Sequence, residues 1–313
     1  MLMSGAVILP FALGAEWAAG YPRVMARVGH PVMWMGALIA ALDRRWNAGP
    51  PHRQRVMGAA MLALLVAVSA GVGGLIQLLL LPSAWLWPVL VLVATTGLAQ
   101  RSLAEHVEAV AAPLEAGDLD AARAAVAKIV GRDVAGLGEE GVATAAIESL
   151  AESFGDGIVT PAVWLAILGL PGLAMAKAIN TADSMVGHKD ARHLHFGWAS
   201  ARADDVLNLI PARLAGALIA LAAGRGWGVM IRDARGHASP NAGWPEAAMA
   251  GALGRQLGGP VSYDGEAHPR AIMGEGPRAD ASDLARALAI WRRACLLLWV
   301  LAALMAGAIL WLR

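Results

Sequence analysis

Cysteine, tyrosine, phenylalanine and charge are all scarce in this chain of 313 residues. It has one Cys, two Tyr and three Phe, and only 16% of its residues are Asp, Glu, Lys or Arg, where soluble domains carry about a quarter. A lone cysteine, Cys295, excludes a disulfide framework and any Cys-based zinc or iron–sulfur site. It lies in an apolar run and reads as a small hydrophobe. Lys and Arg number 25 against 24 Asp and Glu, for a net charge of +1, so there is no electrostatic case for nucleic acid. No G-x-x-x-x-G-K-[ST] occurs, so a P-loop is absent. No strand-rich segment precedes a Gly cluster, which removes a Rossmann reading. His193 and His195 are two apart and share no helix face, so zinc is not expected.

Apolar sequence is what the chain has in abundance: 58% of residues are hydrophobic and the mean hydropathy is +0.55. These figures imply an all-α, polytopic membrane protein. From Val56 to Gln100 there is no charged residue and no His. A span needs roughly 20 apolar residues, so this stretch reads as two spans, near 57–81 and 84–100, turning at Leu81-Pro82-Ser83. A third lies at 294–312. Several of the twelve Trp sit near the ends of apolar runs, as interface anchors do. The apolar N-terminus, Met1 to Ala15, lacks a basic leader and reads as a retained helix closed by Glu16 rather than a cleaved signal. The run Val28 to Leu42 is short for a crossing and suits a re-entrant or interfacial helix.

Arg44, Arg45, Arg53 and Arg55 form a basic cluster that the positive-inside rule places in the cytoplasm. Counting spans from there leaves everything after Arg101 on the same side. The chain then divides into membrane helices at 1–100, a cytoplasm-facing catalytic part at 101–293 and a last membrane helix at 294–313. Residues 101–156 have a helical pattern, broken around Pro113 to Asp118, with an amphipathic helix from Asp120 to Val130. The apolar stretches 157–179 and 206–224 are interrupted by Pro171-Gly172 and by Pro211 with Arg213. Were both to cross, the loop between them would carry Lys189, Arg192, Arg202 and three His outside. They are therefore expected to be broken or re-entrant helices, which membranes tolerate where they line a protein cavity.

Ionisable residues beside membrane segments point to function, and four clusters stand out. Glu148, Glu152 and Asp156 recur every four residues; on a continuous helix they form one acidic face, suited to Mg²⁺ or merely solvated. Asn180 and Asp183 follow as an i,i+3 pair, with Lys189 as a point charge for phosphate; Asp183 or Ser184 also suits a plain helix cap. Asp204 and Asp205 open an apolar helix, where the dipole favours anions, but Asn208 and Arg213 lie inside that stretch without a stabilising reason. Last, Arg232, Arg235 and His237 precede the turn Ser239-Pro240-Asn241-Ala242-Gly243, after which Pro245-Glu246 opens an Ala-rich helix. Such a turn is either a plain loop or an anion site made of backbone N–H groups, an Arg fork and a helix N-terminus.

The segments His30-Pro31-Val32 to Gly36, Glu148-Ser149 to Asp156-Gly157, Asn180 to Met185, Asp204-Asp205 to Asn208 and Ser239 to Gly243 resemble, in order and over nearly the whole chain, the CobD/CbiB family. These are the adenosylcobinamide-phosphate synthases of cobalamin biosynthesis. One departure is N-terminal: the family pattern has an acidic residue closely followed by Pro, whereas here Glu16 is followed only later by Pro22. The resemblance implies a bacterial inner-membrane ligase whose active site faces the cytoplasm. It would join adenosylcobyric acid to aminopropanol phosphate, or aminopropanol, with ATP as co-substrate and Mg²⁺, through an acyl phosphate. By that resemblance Glu148, Glu152, Asp156 and Asp183 would hold the metal. Lys189, Arg232 and Arg235 would neutralise phosphate, Ser239 and Asn241 would orient it, and Asn180, Asn208 and Arg213 would belong to the substrate site. Asp204, Asp205 or His237 would take the proton of the amine. Competing readings are a lipid-diphosphate transferase, which needs more full spans; a transporter, which usually shows an internal repeat; and a non-catalytic sensor, in which these clusters would be lost.

Overall fold

The computed structural model describes residues 2–21, 29–263 and 265–312; Pro22 and Val28 lie outside them. The described chain runs α1 (Leu2–Ala19), α2 (Pro31–Trp46), α3 (Pro51–Leu80), α4 (Trp87–Thr95), α5 (Gln100–Glu115), α6 (Leu119–Val126) and α7 (Glu139–Phe154). A π turn (Gly155–Val159) leads into α8 (Thr160–Leu168), α9 (Leu170–Val186), α10 (Trp198–Leu207), α11 (Leu209–Ala223), α12 (Trp227–Asp233) and α13 (Gly243–Leu253). Four short strands, β1 (Leu257–Gly258), β2 (Val261–Tyr263), β3 (Glu266–His268) and β4 (Ile272–Met273), precede α14 (Ala281–Trp311). The strands pair antiparallel as β1–β4 and β2–β3. Three segments, Pro51–Leu80, Ala84–Glu115 and Ala281–Trp311, are long and apolar enough to cross a membrane. The α10–α11 pair passes that test only when joined across its break. The chain is thus an all-α polytopic membrane protein.

Two compact units are each built from discontinuous sequence: 1–99 with 160–208 and 300–313, and 100–159 with 209–299. These bounds differ from a division at 100 and 293, because α8 to α10 pack with one another and with the N-terminal helices α1 and α3.

In the first unit α3 shows its environment directly. Its buried stripe is Gly58, Met61, Leu65, Ser69, Gly73 and Gln77, while Val68, Val72, Leu75, Leu78 and Leu79 are exposed. Small and polar residues inside with Leu and Val outside is the pattern of a helix facing lipid. The stripe lets α9 approach closely: a Cβ on Gly73 would stand 2.8 Å from the Leu170 carbonyl oxygen. Gln77, the one amide midway through the apolar run, accepts the Leu170 N–H at 2.7 Å, satisfying an orphan donor at the start of α9. The break between α8 and α9 falls at Gly169, whose φ is +75°, just ahead of Pro171 rather than at Pro171-Gly172. The helix α2 starts at Pro31, with His30 Nδ1 accepting from the Val32 N–H. Near its end Asp43 pairs with Arg192 at 2.5 Å and accepts from Asn47. That pair fixes the basic loop after α9 beside Arg44 and Arg45.

In the second unit α7 and α13 are buried almost all round, and Ala and Gly along them allow close packing. Pro113 lies inside α5, which ends at Glu115, and Asp118 caps α6 by accepting from the Ala121 N–H. The helix α14 begins at Ala281, earlier than 294: buried Asp283 holds Arg255 at 2.7 Å and also pairs with Arg286. Arg292 therefore lies inside the helix, paired with Glu108, instead of at its entrance.

Candidate active site

The second unit holds a buried network of opposite charges. Glu148, 3% exposed on α7, pairs with Arg132 at 2.8 Å and accepts the Gly258 N–H at 2.5 Å. Arg270, from the segment after β3, lies 3.5 Å from both Glu148 and Glu246. Glu246 opens α13 and is fully buried. Burial, then the charges of Glu148 and Glu152, push its carboxyl well above the usual carboxylate range. A cavity of about 140 Å³ runs along this network, walled by Arg132, Glu148, Glu152, Glu246, Tyr263 and Arg270.

His237 joins the network through Arg270. Burial, and next the Arg270 charge, hold its imidazole below the ordinary value, so it is neutral near pH 7. Arg270 Nη2 is 2.7 Å from His237 Nε2; a guanidinium only donates, so it engages the lone pair that a general base would use. The Ser239 hydroxyl accepts from the Asn241 and Ala242 N–H groups, and buried Asn241 faces Arg213 at 3.4 Å. Arg213 also donates to the Leu209 carbonyl and stacks 4.6 Å over Trp244. The turn is tight because Gly243 has no side chain: its Cβ would stand 2.2 Å from the Ala234 carbonyl oxygen.

The first unit holds a different cluster. Asp183 stands in the last turn of α9, where burial and then the Asp205 charge raise its carboxyl. Gly187 gives it room, since a Cβ there would lie 1.9 Å from Asp183 Oδ1. Asp204 accepts from Asn208 at 2.8 Å, and Asn208 in turn accepts from Thr160. Asp204 and Asp205 occupy the end of α10, not the first turn of the following helix, so an N-terminal dipole pairing does not account for them. Arg202 reaches Asp205 at 3.3 Å but is exposed.

The predicted residues therefore divide. Glu148, Glu152, Arg213, Arg232, Arg235, His237, Ser239, Asn241 and Asp156 belong to the second unit; Asn180, Asp183, Lys189, Asp204, Asp205 and Asn208 belong to the first. The single acidic face of Glu148, Glu152 and Asp156 does not form. Glu148 is buried against two arginines and Glu152 is exposed. Asp156 lies in the π turn, which shifts the helical phase. Among the described residues no group of three or more His, Cys, Asp or Glu gathers to hold a metal ion. Arg232 is committed to Asp233 and Glu275, Arg235 is exposed in a 3₁₀ turn, and Lys189 is exposed. Arg132 and Arg270 were not singled out from sequence, and Glu246 was noted only as opening the Ala-rich helix after the turn.

A family model described as CobD/Cbib protein matches residues 9–291. The chain is 49% identical over 306 residues to "Cobalamin biosynthesis protein CobD" of Rhodobacter capsulatus, covering 93% of this chain and 94% of that relative. It is 47% identical to the protein of that name from a Sinorhizobium species, with 92% and 94% covered. For the Brucella suis protein the figures are 43%, 97% and 95%. No solved structure matches.

Proposed function

The chain belongs to the CobD/CbiB family, and from that premise we propose that it makes the amide between adenosylcobyric acid and aminopropanol phosphate or aminopropanol. A role in cobalamin biosynthesis follows from the family, and with it a corrinoid substrate. One observation carries the reading further. Four of the five ordered family motifs are the segments that build the two polar clusters, Asn180–Asp183 and Asp204–Asn208 in the first unit and Glu148–Asp156 and Ser239–Gly243 in the second, while His30 caps α2.

A carboxylate is a poor electrophile, so the reaction needs activation by ATP. The corrinoid carboxylate oxygen attacks the γ-phosphorus, ADP leaves, and the amine displaces phosphate from the acyl phosphate. Positioning and charge stabilisation carry such chemistry. Mg²⁺ usually takes one or two carboxylates and leaves room for substrate phosphate. Asp183 with Asn180 suits binding through a single carboxylate better than Glu148, whose charge Arg132 already balances. Bound there, the ion would neutralise phosphate. Asp204 or Asp205 suits the proton acceptor role better than His237, whose Nε2 faces Arg270. The Asp43–Arg192 pair beside Arg44 and Arg45 supports placing the loop after α9 on the cytoplasmic face of the inner membrane.

The test uses protein purified in detergent with adenosylcobyric acid, either amine, ATP and Mg²⁺. The expected result is a corrinoid mass gain of one amide coupled to phosphate release, both lost in Asp204→Asn. Folded protein that makes no corrinoid amide with either amine would overturn the proposal.

A further inference from the structure

The first unit carries an apolar groove that none of the polar residues described above lines. It lies between α2, α3, α9 and the end of α4 and has a volume of about 240 Å³. On α3 its wall is Leu65, Val68, Ser69, Val72, Gly73 and Ile76. That stripe, at spacings of three and four, runs roughly 16 Å along the helix. A space of that length and volume is narrow. It takes a hydrocarbon chain and is far too small for a corrinoid, since a single water already claims about 30 Å³. Val68, Val72 and Trp34 on its rim are exposed. Val68 and Val72 lie on the same face of α3 as exposed Leu75 and Leu79, and α3 is long and apolar enough to cross a membrane. The groove therefore opens sideways, toward lipid rather than toward water.

One lining residue is charged. Lys177 stands about two turns beyond Leu170 on α9. Leu170 packs against Gly73, and α9 then runs toward the basic loop at Lys189 and Arg192, so the ammonium marks the end of the groove nearer that loop. His30 lies at the same end, just ahead of Pro31. Burial, then the Lys177 charge, hold its imidazole below the ordinary value. No carboxylate lines the groove, and the Thr96 hydroxyl is spent on the Val93 carbonyl. An apolar channel with one cation at its end matches an amphiphile that has a hydrocarbon tail and an anionic head.

We propose that this groove binds one acyl chain of an acidic phospholipid from the bilayer, with the Lys177 ammonium paired to its phosphate. The methylenes of Lys177 would lie along the groove while its charged head reaches toward the headgroup. A zwitterionic phospholipid is disfavoured, because its own ammonium cancels the attraction. This site is separate from the reaction proposed above and does not depend on it.

The experiment is native mass spectrometry of the full chain released from detergent. The probes are dioleoyl phosphatidylglycerol and, with identical chains and a zwitterionic head, dioleoyl phosphatidylcholine. One phosphatidylglycerol is expected to stay bound, about fivefold tighter or more than phosphatidylcholine. Lys177→Gln should erase that preference, and Lys177→Arg should restore it. Ala174→Phe fills the groove from α9, and Val72→Phe narrows it from the exposed rim. Each should cost about tenfold or more in phosphatidylglycerol affinity, with folding checked by the thermal midpoint. The exposed Arg44 and Arg45 are the competing anion site, and changing both to Gln should leave the affinity as it was. Equal binding of the two lipids, no bound lipid, or a lipid-free dimer would overturn the groove site. So would a preference that survives Lys177→Gln, an affinity indifferent to both Phe variants in folded protein, or loss of binding in the Arg44 and Arg45 variant.

Discussion

In the second unit the buried carboxylates Glu148 and Glu246 face guanidinium groups, whereas in the first unit Asp183 and Asp204 are flanked by the amides of Asn180 and Asn208 and by a neighbouring Asp205. Arginine balances charge, so the Glu148 end of its network is complete without a ligand. Amides satisfy lone pairs but leave the charge, so Asp204 is not neutralised by its Asn208 partner as Glu148 is by Arg132. Two acidic motifs that look alike in sequence thus differ: arginine balances Glu148, while amides hold Asp204.

The largest effect expected from breaking this contrast is on stability. Arg132→Ala removes the 2.8 Å partner of buried Glu148 and leaves it only Arg270 at 3.5 Å, which should cost about 3–5 kcal/mol and show as a much lower thermal midpoint in detergent. Asp204→Asn should instead lower turnover about 100-fold or more while the thermal midpoint stays near that of the unaltered protein. A stability loss matching that of Arg132→Ala would erase the distinction and make both clusters structural.

The pH dependence sharpens the comparison on the second unit. The folded state holds the Glu246 carboxyl above its unfolded value. Its contribution is therefore fully present below the ordinary Glu range near pH 4.3 and is lost as pH rises through the raised folded value. Glu246→Gln cannot ionise, so its thermal midpoint should gain on the unaltered protein as pH rises above the ordinary Glu range. A gap that stays flat through that rise would mean Glu246 is not held protonated. The smallest effect is expected at Lys189, which is exposed at the end of the first cluster. Lys189→Ala should change stability by no more than about 0.5 kcal/mol and turnover only slightly, as thermal melts and the amide assay would show.

Much of this was legible in the sequence, and unevenly so. The uncharged run from Val56 to Gln100 announced membrane helices, and the glycine before Pro171 sits within two residues of the expected break. The buried roles of Gln77 and Asn208 were not legible, because the partners that explain them, Leu170 and Thr160, are far away in the chain. The spacing of Glu148, Glu152 and Asp156 misled for a physical reason: a π turn at Gly155 changes the residues per turn, and burial differs from one Glu to the next. Arg132 and Arg270 carried no local signal at all, since each lies in an irregular, polar segment where a basic residue is ordinary.

By itself the sequence determined that the chain is helical and membrane-spanning, and through its ordered motifs it determined the family, because apolar run length and motif order are one-dimensional properties. Only the tertiary structure decided which charges neutralise which. Coulombic partners are chosen by distance and burial, and Arg270 reaches Glu148, more than a hundred residues earlier in the chain, only when the fold packs α13 against α7.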